Sequence, residues 1–218
     1  MSMTTEFWRT QFVDFLQKHW ATGDGAHDLH HLHRVWQYAT SIADKEGGSI
    51  DRLVLLCAAY FHDFIALPKD HPDRAASSRM SADKALEILR TTFPAFPPDL
   101  YPAVHHAIHA HSFSANIPTQ TPEAAILQDA DRMEALGALG IARLFYTAGR
   151  MNGNLFDPED PLAEKRPLND KLFALDHIEV KLLTLPATMK TTAGKEMAEE
   201  RAAYITAFRS RLLSEIAF

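Results

Sequence analysis

The nine residues from Leu53 to Phe61 form an unbroken apolar run that leads straight into His62 and Asp63. A helix that is apolar on every side must be enclosed by other elements, so this segment marks the centre of whatever the chain folds into. It is about half as long as a bilayer crossing requires, which makes it a core helix rather than a membrane span. The difficulty is Asp63. An unpaired carboxylate in such surroundings is costly or is forced to take up a proton. Two arrangements relieve it: a satisfied His-Asp pair at a helix end, or a divalent cation that neutralises the charge. The dipeptide alone supports both equally.

The segments around this helix also read as helical. Thr4 or Thr5 can cap a first helix with Phe7, Trp8, Phe12, Phe15 and Leu16 on one side. Asp28 can start a second, which Gly47 and Gly48 stop. Ser49 is placed to cap the apolar helix and Pro68 to close it. A fourth helix covers "SSRMSADKALEILR", and "FPAFPP" separates it from a fifth. Thr121-Pro122-Glu123 opens a sixth, with Gly137 and Gly140 placed to bend or break it. Two further helical stretches start at Asp170 and about Thr192. No alternating β pattern, repeat or Gly-rich phosphate loop accompanies them. The prediction is an all-α, single-domain helical bundle built around a central metal-bearing helix. It has a core over about residues 22–150, a loop over 151–169 that could act as a lid, and C-terminal helices over 170–218.

With 218 residues and a net charge of −6, the chain suits one sizeable core and lacks the basic footprint of a duplex nucleic-acid binder. Its one cysteine, Cys57, lies in the apolar run, so no disulfide framework exists. That fits a reducing cytoplasm, and no basic n-region or apolar h-region opens the sequence. The unusual total is twelve histidines, eleven of them between His19 and His111. Four sit in "HDLHHLH" and four in "HHAIHAH". Clustered internal imidazoles are what metal and phosphate chemistry uses.

Two segments change the reading of the dyad. His31 stands in "HHLHRV", and Asp131 lies deep in the apolar pattern of "LQDADRMEALG". Together with His62 and Asp63 they offer two nitrogens and two carboxylates from three separate helices. Such a set suits a borderline divalent ion better than calcium.

The ordered set His31, His62-Asp63, Asp131 resembles the HD-domain metal-dependent phosphohydrolases, named for that dyad. The likeness extends through "HDLHHLHRVW", "AAYFHDFIALPKDHPDRAASS", "AIHAHSFSANI" and "LQDADRMEALGALGIAR" to small bacterial HD hydrolases of similar length, nucleotide pyrophosphohydrolases among them. The resemblance implies that His31, His62, Asp63 and Asp131 hold one divalent ion, with Mn, Fe, Ni, Co, Zn and Mg as candidates and room for a second ion. It implies hydrolysis of a phosphoester or phosphoanhydride in a small, nucleotide-like molecule, with Asp63 helping to orient the attacking water. It leaves the exact substrate and the oligomeric state open.

Lys69 and Arg74 follow the dyad helix where cations could clamp phosphates, although a solvated basic turn is the rival reading. In the second histidine cluster, His106 and His111 fit the family's positions better than His105 and His109, and His111 could bind phosphate oxygens or a second ion. Asp129, Glu134, Arg34 and Arg132 read either as partners of the site or as ordinary charged flanks. Two other functions stay in view: a catalytically silent metal- or nucleotide-binding HD module, and a zinc peptidase built on His27 and His31, whose spacing is one methylene from HExxH.

Overall fold

The computed structural model describes residues 4–20, 28–67, 71–112 and 115–216. Among them the protein is all-α, with helices α1 (Thr5–His19), α2 (Leu29–Glu46), α3 (Arg52–Phe61), α4 (Ser77–Thr92), α5 (Tyr101–His111), α6 (Pro122–Met133), α7 (Gly137–Arg150), α8 (Ala174–Val180) and α9 (Thr192–Ile216). The chain divides into two compact units, residues 1–131 and 132–218, and the division falls within α6 just after Asp131.

In the first unit α3 is the central helix, packed against α1, α2, α4 and α5. Every side chain from Val54 to Phe61 is at most 1% exposed. The caps explain where the helices begin. Thr4 Oγ1 accepts the Phe7 N–H at 3.2 Å, and Asp28 Oδ1 accepts the His31 N–H at 3.0 Å. Gly47, at φ 68°, ends α2 in a backbone region that most side chains avoid. The cap of α3 is Asp51 rather than Ser49. Its carboxylate accepts from both Leu53 N and Val54 N, relieving two of the exposed amide donors, while its own N–H donates to Glu123 at 2.8 Å. Helix α3 also stops earlier than Pro68, at Phe61, and Pro68 lies outside the described residues.

The "FPAFPP" separator contributes to the core. Phe96 is fully buried, and Phe93 and Phe96 close on α1. Edge-to-face contacts join Trp8 to Phe96 at 5.2 Å, Phe12 to Phe93 at 5.3 Å and Phe12 to Phe61 at 5.1 Å. Each such pair contributes about 0.5–1.5 kcal/mol beyond its buried area, and together they fix α1 against the far end of α3.

In the second unit α7 and a short 3-10 segment, Leu182–Thr188, pack against α9. The helical pattern breaks after Met133 and resumes at Gly137, which takes φ 69°. A Cβ on Gly140 would lie 2.2 Å from the Ala135 carbonyl oxygen, so the close approach requires glycine. Residues 151–169 form an irregular loop tied to its own unit by Arg166. That guanidinium bonds both oxygens of Asp176 at 2.6 and 3.0 Å, reaches Asp157 at 3.1 Å and lies over the Phe173 ring.

Candidate metal centre

Four elements of the first unit deliver the candidate ligands to one place. His31 is set in the first turn of α2 by the Asp28 cap, and it is fully buried. His62 follows the last residue of α3, and Asp63 lies in the tight turn closed by the Phe64 N–H on the Phe61 carbonyl at 3.2 Å. Asp131 occupies the last turn of α6. His111 is the last residue of α5, where the helix ends and releases its side chain towards the dyad.

The donor atoms form a small cage. The two Nε2 atoms of His31 and His62 are 3.2 Å apart, and each lies 3.7–3.8 Å from Oδ2 of Asp63 and from Oδ1 of Asp131. Ligands held at ~2.1 Å from one ion at right angles are ~3.0 Å apart, so a slight contraction suffices to close the cage on a divalent ion. His111 Nε2 stands 3.5 Å from the other oxygen of Asp63, Oδ1, and joins His62 and Asp131 in a second close group. The two oxygens of Asp63 thus serve different histidines.

The protonation pattern agrees with this geometry. His62 Nδ1 lies 2.9 Å from the Ala59 carbonyl, and His111 Nδ1 lies 2.6 Å from the Ile108 carbonyl. A carbonyl only accepts, so both Nδ1 atoms carry hydrogen, and in the neutral rings both Nε2 lone pairs point into the cage. Two imidazole nitrogens facing each other at 3.2 Å need a proton or a cation between them. Burial alone would push the His62 pKa down, but the carboxylates of Asp63 and Asp131 overcome it and lift the value to about 9. Burial likewise opposes ionisation of Asp63, and His62 and His111 hold its carboxyl well below the usual range. Asp131 is lowered too, with His62 outweighing its burial. The site is built to hold positive charge between its acids, and the chemistry of the donors fits a divalent metal. The histidines close its inner wall, while the Asp63 and Asp131 side chains keep 22% and 29% of their surface, so one side is open.

Several supports carry no sequence signature. The indole N–H of Trp20 donates to the Phe64 carbonyl at 3.1 Å. Ser81 Oγ accepts from Ile65 N at 3.0 Å and donates to Ile65 O at 3.2 Å, and Ser77 Oγ accepts from Leu67 N. Gln128, one turn before Asp131, donates to the Ala110 carbonyl at 2.7 Å and steadies the last turn of α5 beside His111. The first two supports span 44 and 16 residues, beyond the reach of local pattern reading.

The remaining sequence candidates fall elsewhere. Arg74 turns a guanidinium nitrogen onto the Leu67 carbonyl, and Lys69 lies outside the described residues. His106 accepts the Gln120 N–H at 2.9 Å through Nε2 and is not part of the cage. Arg132 donates to Thr188, and Glu134 pairs with Arg143. Of the HExxH-like pair, His31 lies in α2, which starts at Leu29 with Asp28 as its extended cap. His27 itself is outside the described residues.

Residues 28–136 match the HD domain family, a span that runs from the α2 cap to just past Asp131. The chain is 32% identical over 195 residues to the protein YpgQ of Bacillus subtilis (strain 168), covering 87% of this chain and 84% of that one. Among solved structures, an HD-superfamily hydrolase from Bacillus thuringiensis superposes with a TM-score of 0.71 at 28% identity, over 97% of this chain and 98% of that one. Bacillus subtilis YpgQ in complex with ADP gives 0.72 at 26% identity, over 98% and 97%. With its His31, His62-Asp63, Asp131 cage inside the matched span, the chain belongs to the HD-domain family, in the company of HD-superfamily hydrolases.

Proposed function

We propose that the chain is a metal-dependent phosphohydrolase that cleaves a phosphoester or phosphoanhydride bond of a nucleotide-like small molecule. The observation that carries this reading is the cage itself: two buried imidazoles and two carboxylates converge within 3.8 Å and leave one side open. The ADP complex of Bacillus subtilis YpgQ supports a nucleotide as the substrate class.

His31, His62, Asp63 and Asp131 would hold the ion. When bound, a divalent ion supplies Lewis acidity towards a phosphoryl oxygen and lowers the pKa of a coordinated water. Asp63, with one oxygen towards His31 and His62 and the other towards His111, would help to orient the attacking water. His111 presents Nε2 beside that oxygen, where it can take part in holding a second ion or, when protonated, a phosphate oxygen. Lys69, Arg74 and His106 are the remaining candidates for the substrate's phosphates.

The test is a panel of nucleotides and p-nitrophenyl phosphates assayed with Mn, Mg, Ni and Co, with orthophosphate and pyrophosphate release measured separately. Metal-dependent turnover lost in Asp131→Ala supports the reading. Metal and ADP binding without turnover of any substrate would make the chain a silent binding module. Hydrolysis of casein instead would make it a peptidase.

A further inference from the structure

We propose that His105 and His109 of α5, with Asp83 of α4, form a separate metal site that takes a zinc ion. The metal centre uses His31, His62 and His111, and His106 gives its Nε2 to the Gln120 N–H. That leaves His105 and His109 as the members of "HHAIHAH" with no part in the centre. They stand four residues apart on α5, one above the other on one face, which is the spacing at which two imidazoles of a helix reach a common ion. Asp83 meets them from α4. Its Oδ1 lies 2.9 Å from His105 Nε2, close to the ~3.0 Å that separates two ligands bound at right angles to one ion. A proton holds that pair together, and a divalent ion can take the proton's place.

The rings of His105 and His109 are 6.0 Å apart, against 5.2 and 4.8 Å for the ring pairs of the metal centre, so they close by about 1 Å on binding. Both histidines are half-buried and Asp83 is exposed. The closure is therefore a change of side-chain torsion with no shift of backbone. Two nitrogens and one oxygen, with a fourth position left to water, make a set that zinc accepts in tetrahedral geometry. Magnesium and calcium prefer oxygen throughout. One cation opposes the ion: Arg79 Nη1 stands 3.6 Å from Asp83 Oδ2, the oxygen turned away from His105. Its side chain keeps 58% of its surface, so water screens most of that charge. With three protein ligands open to solvent the site is weaker than the cage, and it fills when zinc is added rather than during purification. The ion ties α4 to α5. Those two helices carry Ser77 and Ser81, which hold the backbone after Asp63, and His111, so the site braces the metal centre through its supports.

This inference does not rest on the reading of the cage, and its test keeps the two apart. Zinc is titrated calorimetrically into Asp131→Ala, in which the cage no longer closes. One zinc per chain is expected to bind in the micromolar range and to raise the Tm. Adding His105→Ala, His109→Ala or Asp83→Asn to that variant is expected to weaken the binding at least tenfold and to abolish the rise in Tm, whereas adding His106→Ala leaves both as they were. Should Asp131→Ala fold poorly, the wild-type background decides: at saturating zinc, His109→Ala is expected to hold one ion per chain fewer by elemental analysis. Zinc binding that is indifferent to His105→Ala and His109→Ala overturns the site. So does binding that appears only at millimolar zinc.

Discussion

His62 and His111 share one device: each ties Nδ1 to the carbonyl three residues earlier and turns Nε2 inward. The consequences of losing them should differ. His62→Ala and Asp131→Ala each remove a wall of the cage and are expected to purify without bound metal, as elemental analysis would read. His111→Ala leaves the four-residue set intact, so it should keep the ion yet lose at least tenfold in kcat/KM, equivalent to about 1.4 kcal/mol or more. Loss of metal in His111→Ala as complete as in Asp131→Ala would instead make it a required ligand. His106→Ala gives up a bond to the Gln120 N–H, and its effect is expected on the 115–121 connection rather than on metal content. The sequence supplied the cage residues because their order along the chain is distinctive. His106 and His111, five residues apart, stand about 140° apart on a helix, and the end of α5 at His111 turns that one inward.

Among the elements, the turn after α3 matters most, since it carries Asp63 and is held mainly by distant side chains. Ser81 is fully buried and serves both the N–H and the carbonyl of Ile65. Ser81→Ala leaves both groups without that partner, at a cost of about 1–3 kcal/mol. A lower Tm together with weaker manganese retention is expected, with helix content by circular dichroism unchanged. Retention equal to wild type would detach Ser81 from the site. The start of α2 was legible because Asp28 stood alone as a cap, whereas for α1 the structure chooses Thr4 over Thr5. At α3 the expected cap, Ser49, gives way to Asp51, whose carboxylate accepts two amide donors at once. "FPAFPP" reads as a break because proline ends helices, yet Phe96 is core; proline spacing carries no information about which aromatic the turn presents to α1. The Trp20 anchor on Phe64 was invisible for a different reason, since it joins residues 44 apart in the sequence.

For the molecule as a whole, an ion held at the proposed centre would couple stability to its occupancy. An ion held at a concentration of 100 times its Kd stabilises the folded chain by about 2.7 kcal/mol. EDTA is therefore expected to lower the Tm of the wild type and to leave that of Asp131→Ala unmoved. The second unit responds to pH through its own pair. Burial opposes ionisation of Asp176, but Arg166 and the Asn169 N–H outweigh it and hold its pKa below the ordinary carboxylate value. A depressed folded-state pKa stabilises above the unfolded value and loses that contribution as pH falls through the folded one. The Tm difference between wild type and Asp176→Asn should thus be largest near neutrality and shrink on acidification below the usual carboxylate range. A final consequence belongs to Cys57. It is the only thiol in the chain, has no exposed surface and sits in the middle of α3, where burial raises its pKa and suppresses the thiolate. An aqueous thiol reagent can reach it only when the central helix comes apart, so its labelling rate is a clock for opening of the core. Saturating manganese should slow that clock in the wild type and leave it unchanged in His62→Ala.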